Sequence, residues 1–422
     1  MLTSLRVENW KSYEAATLNV DALTVLIGTN SSGKSNLLDA LAFLNRVSSG
    51  VMLTSALQGD SAVSPLRGGV EWAARKPGTY FAISVNLRVG EDEDIEYRIE
   101  CLTTSSRCDL VSEHVKRTKY RLDKKSRRGA SLRPIMLFST DPTNEDSPTI
   151  VARLYNEKGG APRQLGRSNA ILFQLVGQKN RIEIQDGIDA IVNVLRNIFI
   201  LDPIPSHMRD FSPLAERLNF DGGNIAGVIA ALSTELKTTI EGTLTAYVSK
   251  LPERDITRVY AETVGRFNTD AMLYCEERFK ASDEHSTVDA RGMSDGTLRF
   301  LAILTALLTR PKGSLLVIEE VDNGLHPSRS KLLLNMLGTV GKERGVDVMV
   351  TTHNPALLDA MGTTMVPFIT VAHRDATNGA SCLTLLEELE KLPKLLAQGP
   401  IGRLSSQGLI EEALKTQTER AA

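Results

Sequence analysis

Apolar runs bounded by polar loops mark a buried sheet at both ends of the chain. Near the start, LTVLI (23–27) is a short β-branched run typical of a sheet interior. Near the end, SLLVIEE (314–320) and VDVMVTTHN (346–354) are of the same kind. The stretch after the first run has helical spacing and places four leucines on one face: Leu37, Leu38, Leu41 and Leu44. Strands alternating with helices predict an α/β core assembled from 1–48 and 290–422.

The middle of the chain follows a different pattern. Apolar and polar residues alternate strictly in FAISVNLRV (81–89) and again in IEYRIEC (95–101), on either side of an acidic sequence. Such alternation predicts a half-buried antiparallel hairpin. We therefore expect a β lobe within 49–184 that includes a Ser-, Gly- and Pro-rich surface excursion over 49–77. Residues 185–289 are predicted to form a helical insertion that returns to the core.

Composition excludes some classes of protein but does not indicate a function. The 422 residues are 42% apolar and 24% charged with a formal net charge of −2, which is typical of a globular protein that does not coat nucleic acid as a whole. The sequence MLTSLRVENWKSY lacks the apolar core of a signal peptide, and no apolar run is long enough to span a membrane. The four cysteines form no C-x-x-C pair and the histidines are scattered. A cytoplasmic protein with free thiols is expected.

The sequence GTNSSGKS (28–35) fits the phosphate-binding pattern G-x-x-x-x-G-K-[ST], between a strand and a helix as the mechanism requires. Gly28 and Gly33 permit backbone N–H groups to wrap around phosphates, Lys34 reaches the β- and γ-phosphates, and Ser35 ligates Mg²⁺. A chance match is the alternative, and the flanking elements argue against it. The predicted nucleotide-binding residues of this loop are Gly28, Asn30, Ser31, Ser32, Gly33, Lys34, Ser35 and Asn36.

Two carboxylates and a histidine follow the C-terminal apolar runs. A buried strand that ends in Glu319 and Glu320 suggests a ligand at that edge, with Glu319 at Mg²⁺ and Glu320 polarising a water. The alternative is two solvated charges at a strand end. His353 ends the next strand, and a right-handed crossover would set the two strand ends side by side, near the γ-phosphate.

A second turn also has the composition of an anion site. In GMSDGTLRF (292–300), two glycines, a Ser and an Asp stand where a helix begins, so backbone N–H groups are available to an anion. A capped helix alone would account for Ser294 and Asp295 but not for the glycines on either side of them.

Taken in order, LRVENWKSY, GTNSSGKSN, GMSDGTLRF and IEEVDNGLHP with TTHNP resemble the ABC-type ATPases of the RecF, SMC and Rad50 branch. The sequence is most similar to the stand-alone OLD-like group of bacterial AAA-type ATPases, the AAA15/AAA_21 set. The likeness covers about 1–48 and 290–360, and DGGNIAGVIAAL (221–232) resembles a helical segment of that group. It implies an α/β P-loop NTPase fold, an ABC-ATPase head with an antiparallel β lobe and an inserted helical region.

The resemblance also implies a mechanism. Two copies would form a head-to-head homodimer around ATP and Mg²⁺, in which Ser294 and Gly296 bind the γ-phosphate of the partner's ATP and Lys11 contacts nucleotide. Catalysis would use Glu320, His353 and Lys34. The sequence departs from the family pattern in three ways: Glu319 replaces the more usual Asp, Ser31 stands where SMC proteins have Gly, and no Q-loop glutamine can be placed.

The sequence KRTKYRLDKKSRRG (116–129) is strongly basic. It is equally compatible with a solvated loop and with a DNA contact in which Tyr120 stacks on a base. The candidate phosphate contacts are Lys116, Arg117, Lys119, Arg121, Lys124, Lys125, Arg127 and Arg128.

These observations favour an ATP-hydrolysing switch in a DNA-linked process, with anti-phage defence through a separate nuclease or toxin as the expected role. A RecF-like repair ATPase and a non-catalytic, nucleotide-gated scaffold that sequesters an effector are the alternatives. A transporter ATPase is disfavoured by the NWKSY strand, the β lobe and the absence of an LSGGQ sequence. Assembly beyond a dimer, the effector and the trigger stay open.

Overall fold

The computed structural model describes residues 1–123, 127–156, 159–251, 256–278 and 285–421. Its strands are β1 (Leu2–Trp10), β2 (Tyr13–Asn19), β3 (Leu23–Ile27), β4 (Tyr80–Arg88), β5 (Glu93–Thr103), β6 (Cys108–Leu122), β7 (Arg128–Ser131), β8 (Ile135–Thr140), β9 (Thr149–Asn156), β10 (Gly159–Gly166), β11 (Ile198–Leu201), β12 (Ser212–Pro213), β13 (Ile256–Val264), β14 (Asp270–Arg278), β15 (His285–Asp289), β16 (Leu315–Ile318), β17 (Asp347–Thr351), β18 (Ile369–Arg374) and β19 (Ser381–Leu385).

Its α-helices are α1 (Lys34–Ser48), α2 (Leu53–Gln58), α3 (Ile171–Gln174), α4 (Ile182–Arg196), α5 (Ile225–Ala230), α6 (Thr234–Val248), α7 (Asp295–Thr309), α8 (Ser330–Arg344), α9 (Pro355–Met361), α10 (Leu392–Leu396), α11 (Ile401–Ser406) and α12 (Leu409–Ala421). Short 3₁₀ turns cover Pro205–Arg209, Pro327–Arg329, Thr363–Phe368 and Leu386–Glu388. Within the described ranges, none of the helices has the length and apolar character needed to cross a membrane.

One 15-stranded sheet runs through the molecule in the order β10-β9-β8-β6-β5-β4-β1-β2-β19-β18-β3-β17-β16-β11, with β7 paired to β6. The last five strands in this order, β18-β3-β17-β16-β11, are parallel, so they end at the same edge. The predicted α/β core and the side-by-side placement of the strands before Glu319 and His353 are confirmed by this order. The strand β11 was not expected.

Both faces of the parallel strands are buried, which explains their continuous apolar sequences. Successive residues of β3 enter different cores: Val25 and Ile27 pack with α7 and α8, and Leu26 packs with α1 and α4. Burial of such side chains contributes roughly 1.5–3 kcal/mol each. The edge of the sheet from which the loop 28–35 leaves β3 is therefore packed on both faces.

The β lobe is not a separate sheet, because β4 pairs directly with β1, for example Val85 with Leu5. The predicted hairpin is present as β4 and β5, with Phe81 opposite Cys101. Val89 differs from the prediction: it follows the last residue of β4 and is 47% exposed, because the strand ends before the alternation does.

Two middle regions differ from the sequence-based expectation. Residues 49–77 are not only a surface excursion, since α2 and the following loop bury Leu57, Leu66 and Val70 against the core. Residues 185–289 contain helices only as far as Val248, with β11 and β12 between α4 and α5. Beyond Val248, β13, β14 and β15 form an antiparallel sheet with β12. The apolar residues of this second sheet pack under α5 and α6, so tertiary burial replaces a helix with strands there.

Candidate functional site at the edge of the parallel strands

The five parallel strands place different polar groups at one edge of the sheet. A pocket of about 300 Å³ lies there. It is lined by Asn30, Ser31, Gly33, Lys34, Ser35, Asn36, Glu319, Glu320, Thr351 and Arg374. Most of the predicted P-loop residues thus share one cavity with both carboxylates of the acidic strand end.

The loop between β3 and α1 can be formed only by glycine at two positions. Gly28 has a φ of 142°, and a Cβ atom there would lie 2.1 Å from the carbonyl oxygen of Ala372. Gly33 has a φ of 115°, and its Cβ would meet Ser381 Oγ at 2.6 Å. Ser31 also has a positive φ, 66°, and its carbonyl accepts a hydrogen bond from Arg374 Nε at 2.9 Å. The contact with Arg374 helps to hold a backbone conformation that non-glycine residues rarely adopt.

Lys34 and Ser35 begin α1 at the centre of the pocket. Lys34 Nζ donates to the carbonyl oxygens of Gly28 at 2.5 Å and Thr29 at 3.0 Å, which holds the ammonium over the loop. Burial lowers the pKa of Lys34, while the nearby carboxylates of Glu320 and Glu319 raise it. The buried hydroxyl of Ser32 has no hydrogen-bond partner among the described residues, as expected if it faces a ligand.

Ser35 and Glu319 fit the role of a Mg²⁺ site. Ser35 Oγ donates to Glu319 Oε1 at 2.5 Å, so a hydroxyl and a carboxylate oxygen meet at one point. Mg²⁺ prefers oxygen ligands and is usually bound through one or two protein groups plus phosphate oxygens and water. No group of three or more His, Cys, Asp and Glu residues suited to a metal occurs in the described ranges. The donor set therefore suits a cation that arrives with nucleotide phosphates.

Glu320 and His353 lie next to each other, as predicted. His353 Nδ1 is 3.7 Å from Glu320 Oε1, and both side chains are about half exposed. The backbone at Glu320 has a φ of 46°, and its N–H donates to Thr351 Oγ1 at 2.8 Å. The end of β17 thus fixes the backbone of the residue that carries the proposed base.

Arg67 was not predicted to belong to the site. Its guanidinium forms two hydrogen bonds with the Glu319 carboxylate, at 2.7 and 3.2 Å. It comes from the loop after α2, and Lys11 Nζ donates to its carbonyl oxygen at 2.7 Å. The composition of 49–77 gave no signal for this contact. An arginine on the proposed metal ligand is a feature of tertiary packing alone.

Lys11 does not line the pocket, in contrast to its predicted nucleotide contact. Its ammonium pairs with Asp39 at 2.5 Å, and both side chains are only 7% exposed. Burial lowers the pKa of Lys11, and the carboxylate of Asp39 opposes that shift. The neighbouring Ser12 Oγ accepts a hydrogen bond from Asn36 Nδ2 at 2.7 Å, which ties the first strand pair to α1. Lys11 therefore supports the site through Asp39 on α1.

The turn before α7 has the predicted cap but lies outside the pocket. Ser294 Oγ accepts from the N–H of Thr297 at 3.2 Å, so Ser294 is the N-cap. A Cβ on Gly296 would lie 2.7 Å from Arg329 Nη1 and 2.9 Å from the carbonyl oxygen of Gly324, so packing alone requires this glycine. Neither Ser294 nor Gly296 lines the pocket of its own chain. Gly296 is buried and is required by packing, which the sequence did not reveal, whereas Ser294 is exposed.

Comparison with known proteins agrees with this geometry. The family model of the AAA ATPase domain matches residues 1–132, and the model described as "AAA domain, putative AbiEii toxin, Type IV TA system" matches residues 249–359. A crystal structure of an SMC head bound to the C-winged helix domain of ScpA is similar to this chain, with 13% sequence identity and a TM-score of 0.51. The match covers 91% of this chain and 97% of that one. The chain has the P-loop ABC-ATPase fold, and two parts of it match models of AAA-type ATPase families.

Two further SMC heads are similar to this chain. The head domain from Thermotoga maritima is 12% identical over 91% of this chain and 98% of that chain, with a TM-score of 0.44. A Pyrococcus furiosus head with an extended coiled coil, bound to the C-terminal domain of ScpA, is 13% identical over 94% and 99%, with a TM-score of 0.47. No curated protein matches the sequence. The fold class predicted from the motifs is confirmed.

Most basic side chains in the described part of the run 116–129 are paired with acids. This run forms the end of β6 and the start of β7, and Lys116 pairs with Glu96 at 3.1 Å and Arg128 with Asp94 at 2.6 Å. Weaker or more exposed pairs involve the following: Arg117 and Lys119 with Glu93, and Arg127 with Asp123. Arg121 lies on the exposed end of β6. Lys124 and Lys125 lie outside the described residues.

The residues described around the pocket include no glutamine, so the Q-loop residue stays unassigned. The unexpected strand β11 ends beside Glu319, whose N–H donates to the carbonyl oxygen of Leu201 at 3.3 Å. Asp202 comes next, and burial raises its pKa while Arg299 opposes the shift. The short sequence IFIL after a long helix gave too weak a signal to place this strand from sequence.

Proposed function

We propose that this chain is an ATP-dependent molecular switch that binds ATP and Mg²⁺ and hydrolyses the γ-phosphate bond. The observation that supports this most is the meeting of Lys34, the Ser35–Glu319 pair and Glu320 in one pocket. Lys34 supplies positive charge toward the phosphates, where a preorganised charge is most effective. Ser35 and Glu319 would hold Mg²⁺, which when bound would polarise the phosphoryl oxygens as a Lewis acid.

Glu320 is the proposed general base. It lines the same pocket as Lys34, and its backbone is fixed by Thr351. A carboxylate in hydrogen-bond reach of a water can take its proton as the water attacks phosphorus. His353, 3.7 Å from Glu320, would orient that carboxylate or the γ-phosphate beside it.

The second half of each active site is proposed to come from another copy. The turn 292–296 has backbone N–H groups and a helix N-terminus suited to an anion, but it does not line its own chain's pocket. In a two-fold dimer, Ser294 and Gly296 of one copy would meet the γ-phosphate bound by the other. A two-fold arrangement uses the same surfaces twice and so forms two equivalent sites.

Replacing Glu320 with Gln tests this function. We expect Mg²⁺-dependent ATP hydrolysis in the wild type, a loss of roughly 10²–10³-fold in Glu320→Gln, and retention of nucleotide binding. Lys34→Ala should instead lose nucleotide binding. ATP should shift Glu320→Gln from monomer to dimer in analytical ultracentrifugation. Full activity in Glu320→Gln would refute the assignment of the base.

A nucleotide-gated scaffold without turnover is the second candidate. The contact between Arg67 and Glu319 favours it, because the arginine already neutralises the proposed metal ligand. Such a protein would sequester an effector and release it on a signal. Equal biological activity of wild type and Glu320→Gln would support the scaffold and exclude hydrolysis as the working step.

The process is proposed to be DNA-linked anti-phage defence with a separate nuclease or toxin. One matching family model is described as a putative AbiEii toxin of a type IV toxin–antitoxin system, and one similar SMC head carries a bound ScpA domain. A RecF-like repair role is the alternative. Phage plating on cells that carry the chain with its neighbouring gene distinguishes them: defence requires protection, whereas repair predicts sensitivity to DNA damage when the chain is deleted.

A further inference from the structure

The turn 292–296 is held by one arginine from a distant part of the chain. Arg209 Nη1 donates to three backbone carbonyl oxygens, those of Ala290 at 3.1 Å, Arg291 at 2.8 Å and Met293 at 2.8 Å. Its Nη2 donates to Asp295 Oδ1 at 2.5 Å. A single guanidinium thus binds the backbone on one side of Ser294 and the side chain on the other.

We propose that Arg209 is the positioning residue of this turn, and that its effect falls on the nucleotide bound by the partner copy. The inference rests on the proposed function, in which the turn serves the other chain. Arg209 would not touch nucleotide. It would act by fixing the carbonyl groups that set the direction of the neighbouring N–H groups toward a phosphate.

Arg209 also affects the turn through its positive charge, which pairs with Asp295. Asp295 stands in the first turn of α7, where a carboxylate is stabilised by the helix dipole but repels a phosphate. Its side chain is 65% exposed, so its charge is accessible to an anion that approaches the turn. The ion pair with Arg209 offsets that charge. A charge-assisted, forked contact of this kind is also more directional than a single ammonium contact.

Arg209 lies in the segment that joins the end of β11, beside Glu319, to the residues that contact the turn 292–296. It ends the 3₁₀ turn Pro205–Arg209, which follows β11, and Leu201 at the end of β11 accepts a hydrogen bond from the Glu319 N–H. The arginine that holds the turn therefore follows closely in sequence on Asp202, which lies beside the proposed Mg²⁺ site. One segment of the chain, from β11 to the 3₁₀ turn, thus contacts both Glu319 and the turn 292–296.

The replacement Arg209→Ala tests the inference in two ways. The chain's own P-loop does not contact Arg209, so affinity for a fluorescent ATP analogue should stay within about twofold of wild type. Loss of charge-assisted hydrogen bonds to the turn should reduce ATP hydrolysis by roughly tenfold or more and weaken ATP-driven dimerisation. Arg209→Lys should recover part of the loss, because it keeps the charge but not the fork.

Mixing two defective variants shows whether Arg209 acts across the dimer. A dimer of one Lys34→Ala copy and one Arg209→Ala copy has one complete site, formed by the intact P-loop of the second and the intact turn of the first. Random pairing makes half of the dimers mixed, so the mixture should recover about a quarter of wild-type activity. Arg258→Ala is a matched control, since Arg258 is an exposed arginine on β13 that pairs with Glu276 rather than with the turn.

A parallel mixture of Lys34→Ala with Ser294→Arg tests the proposed function itself. Recovery in that mixture but not in the one with Arg209→Ala would overturn the inference and leave the dimer model standing. Failure of both mixtures would reject the shared site, and with it the role of Arg209. Loss of nucleotide affinity in Arg209→Ala alone would show a general structural effect and would also overturn the inference.

Discussion

The guanidinium group of Arg67 lies against both carboxylate oxygens of Glu319, with Nη2 2.7 Å from Oε2 and Nη1 3.2 Å from Oε1. The same carboxylate accepts a hydrogen bond from Ser35. A cation that enters between Ser35 and Glu319 must therefore compete with an arginine for the same negative charge. The arginine belongs to the loop after α2, so the metal site is connected to a segment that lies outside the P-loop motifs.

This competition predicts that Arg67→Gln lowers the Mg²⁺ concentration needed for nucleotide binding. The pair is partly exposed, with the Arg67 side chain at 53%, so it is worth about 1 kcal/mol or less. That corresponds to a change of up to about fivefold in the half-saturating Mg²⁺ concentration. A Mg²⁺ titration at saturating fluorescent ATP analogue measures it.

Arg75→Gln is a matched control for Arg67→Gln, because Arg75 lies in the same segment and bonds to the carbonyl oxygen of Asn378 rather than to a carboxylate. The control should leave the Mg²⁺ requirement at the wild-type value. An unchanged or higher requirement in Arg67→Gln would show that Arg67 does not compete with the metal and instead helps to form the site.

The relation between Glu320 and His353 predicts unequal losses when each is replaced. Their contact is 3.7 Å long and half exposed, so His353 contributes through orientation rather than through a strong ion pair. We expect His353→Ala to lower the rate of phosphate release by about tenfold, less than the 10²-fold or more expected for removal of a general base. Glu343→Gln, an exposed change on α8, should leave the rate unchanged. An equal or larger loss in His353→Ala would move the central role from Glu320 to His353.

The sequence was informative where one segment contains both a secondary-structure element and the polar residues of the candidate site. The strand before Gly28, the helix that begins at Lys34 and the acids after β16 are adjacent in the chain, so their motif and their flanks could be recognised together. His353 could be placed because a right-handed crossover restricts where the next parallel strand lies. These predictions depend on local sequence and on one general rule of topology.

Residues that reach the site by tertiary packing were missed for a physical reason. Arg67, Arg209 and Arg374 come from a loop, a 3₁₀ turn and a strand end whose sequences carry no motif, and only the folded chain sets them against carbonyl and carboxylate oxygens. The basic run illustrates the converse. Its charges are evident in the sequence, but most of the acids that neutralise them lie on β5, the neighbouring strand.

The pairing of these basic side chains with acids leads to a two-sided prediction about DNA binding. If the basic end of β6 binds phosphates, replacing Lys116, Arg117 and Lys119 with Ser should weaken DNA binding. It should also flatten the salt dependence, by about 0.9 in the log–log slope for each DNA phosphate that is no longer neutralised. The double variant Glu93→Gln, Glu96→Gln should have the opposite effect, because it removes the acids that now pair with these side chains. Fluorescence anisotropy over a range of salt concentrations measures both. Equal affinity in all three proteins would exclude this end of β6 as the DNA site.

A buried carboxylate in the β lobe predicts a pH dependence of stability. Glu113 is 1% exposed, and its oxygens accept hydrogen bonds from the N–H groups of Ile171 at 2.6 Å and Leu172 at 2.8 Å, at the start of α3. Burial raises the pKa of Glu113 to about 7 from an ordinary value of 4.5, although these hydrogen bonds oppose the shift. The folded protein therefore favours the protonated carboxyl group.

Because the folded pKa is the higher one, the contribution of Glu113 to stability is complete below pH 4.5 and is lost as the pH rises to about 7. The loss is about 3 kcal/mol at most. Glu113→Gln is neutral at every pH and should lack this component, so its free energy of unfolding should rise relative to wild type between pH 5 and pH 8. Urea unfolding of both proteins at several pH values gives the difference and cancels contributions from other groups, such as Asp347, whose pKa burial raises to about 6. Parallel curves for the two proteins would show that the hydrogen bonds to α3 outweigh burial and that Glu113 is ionised throughout this range.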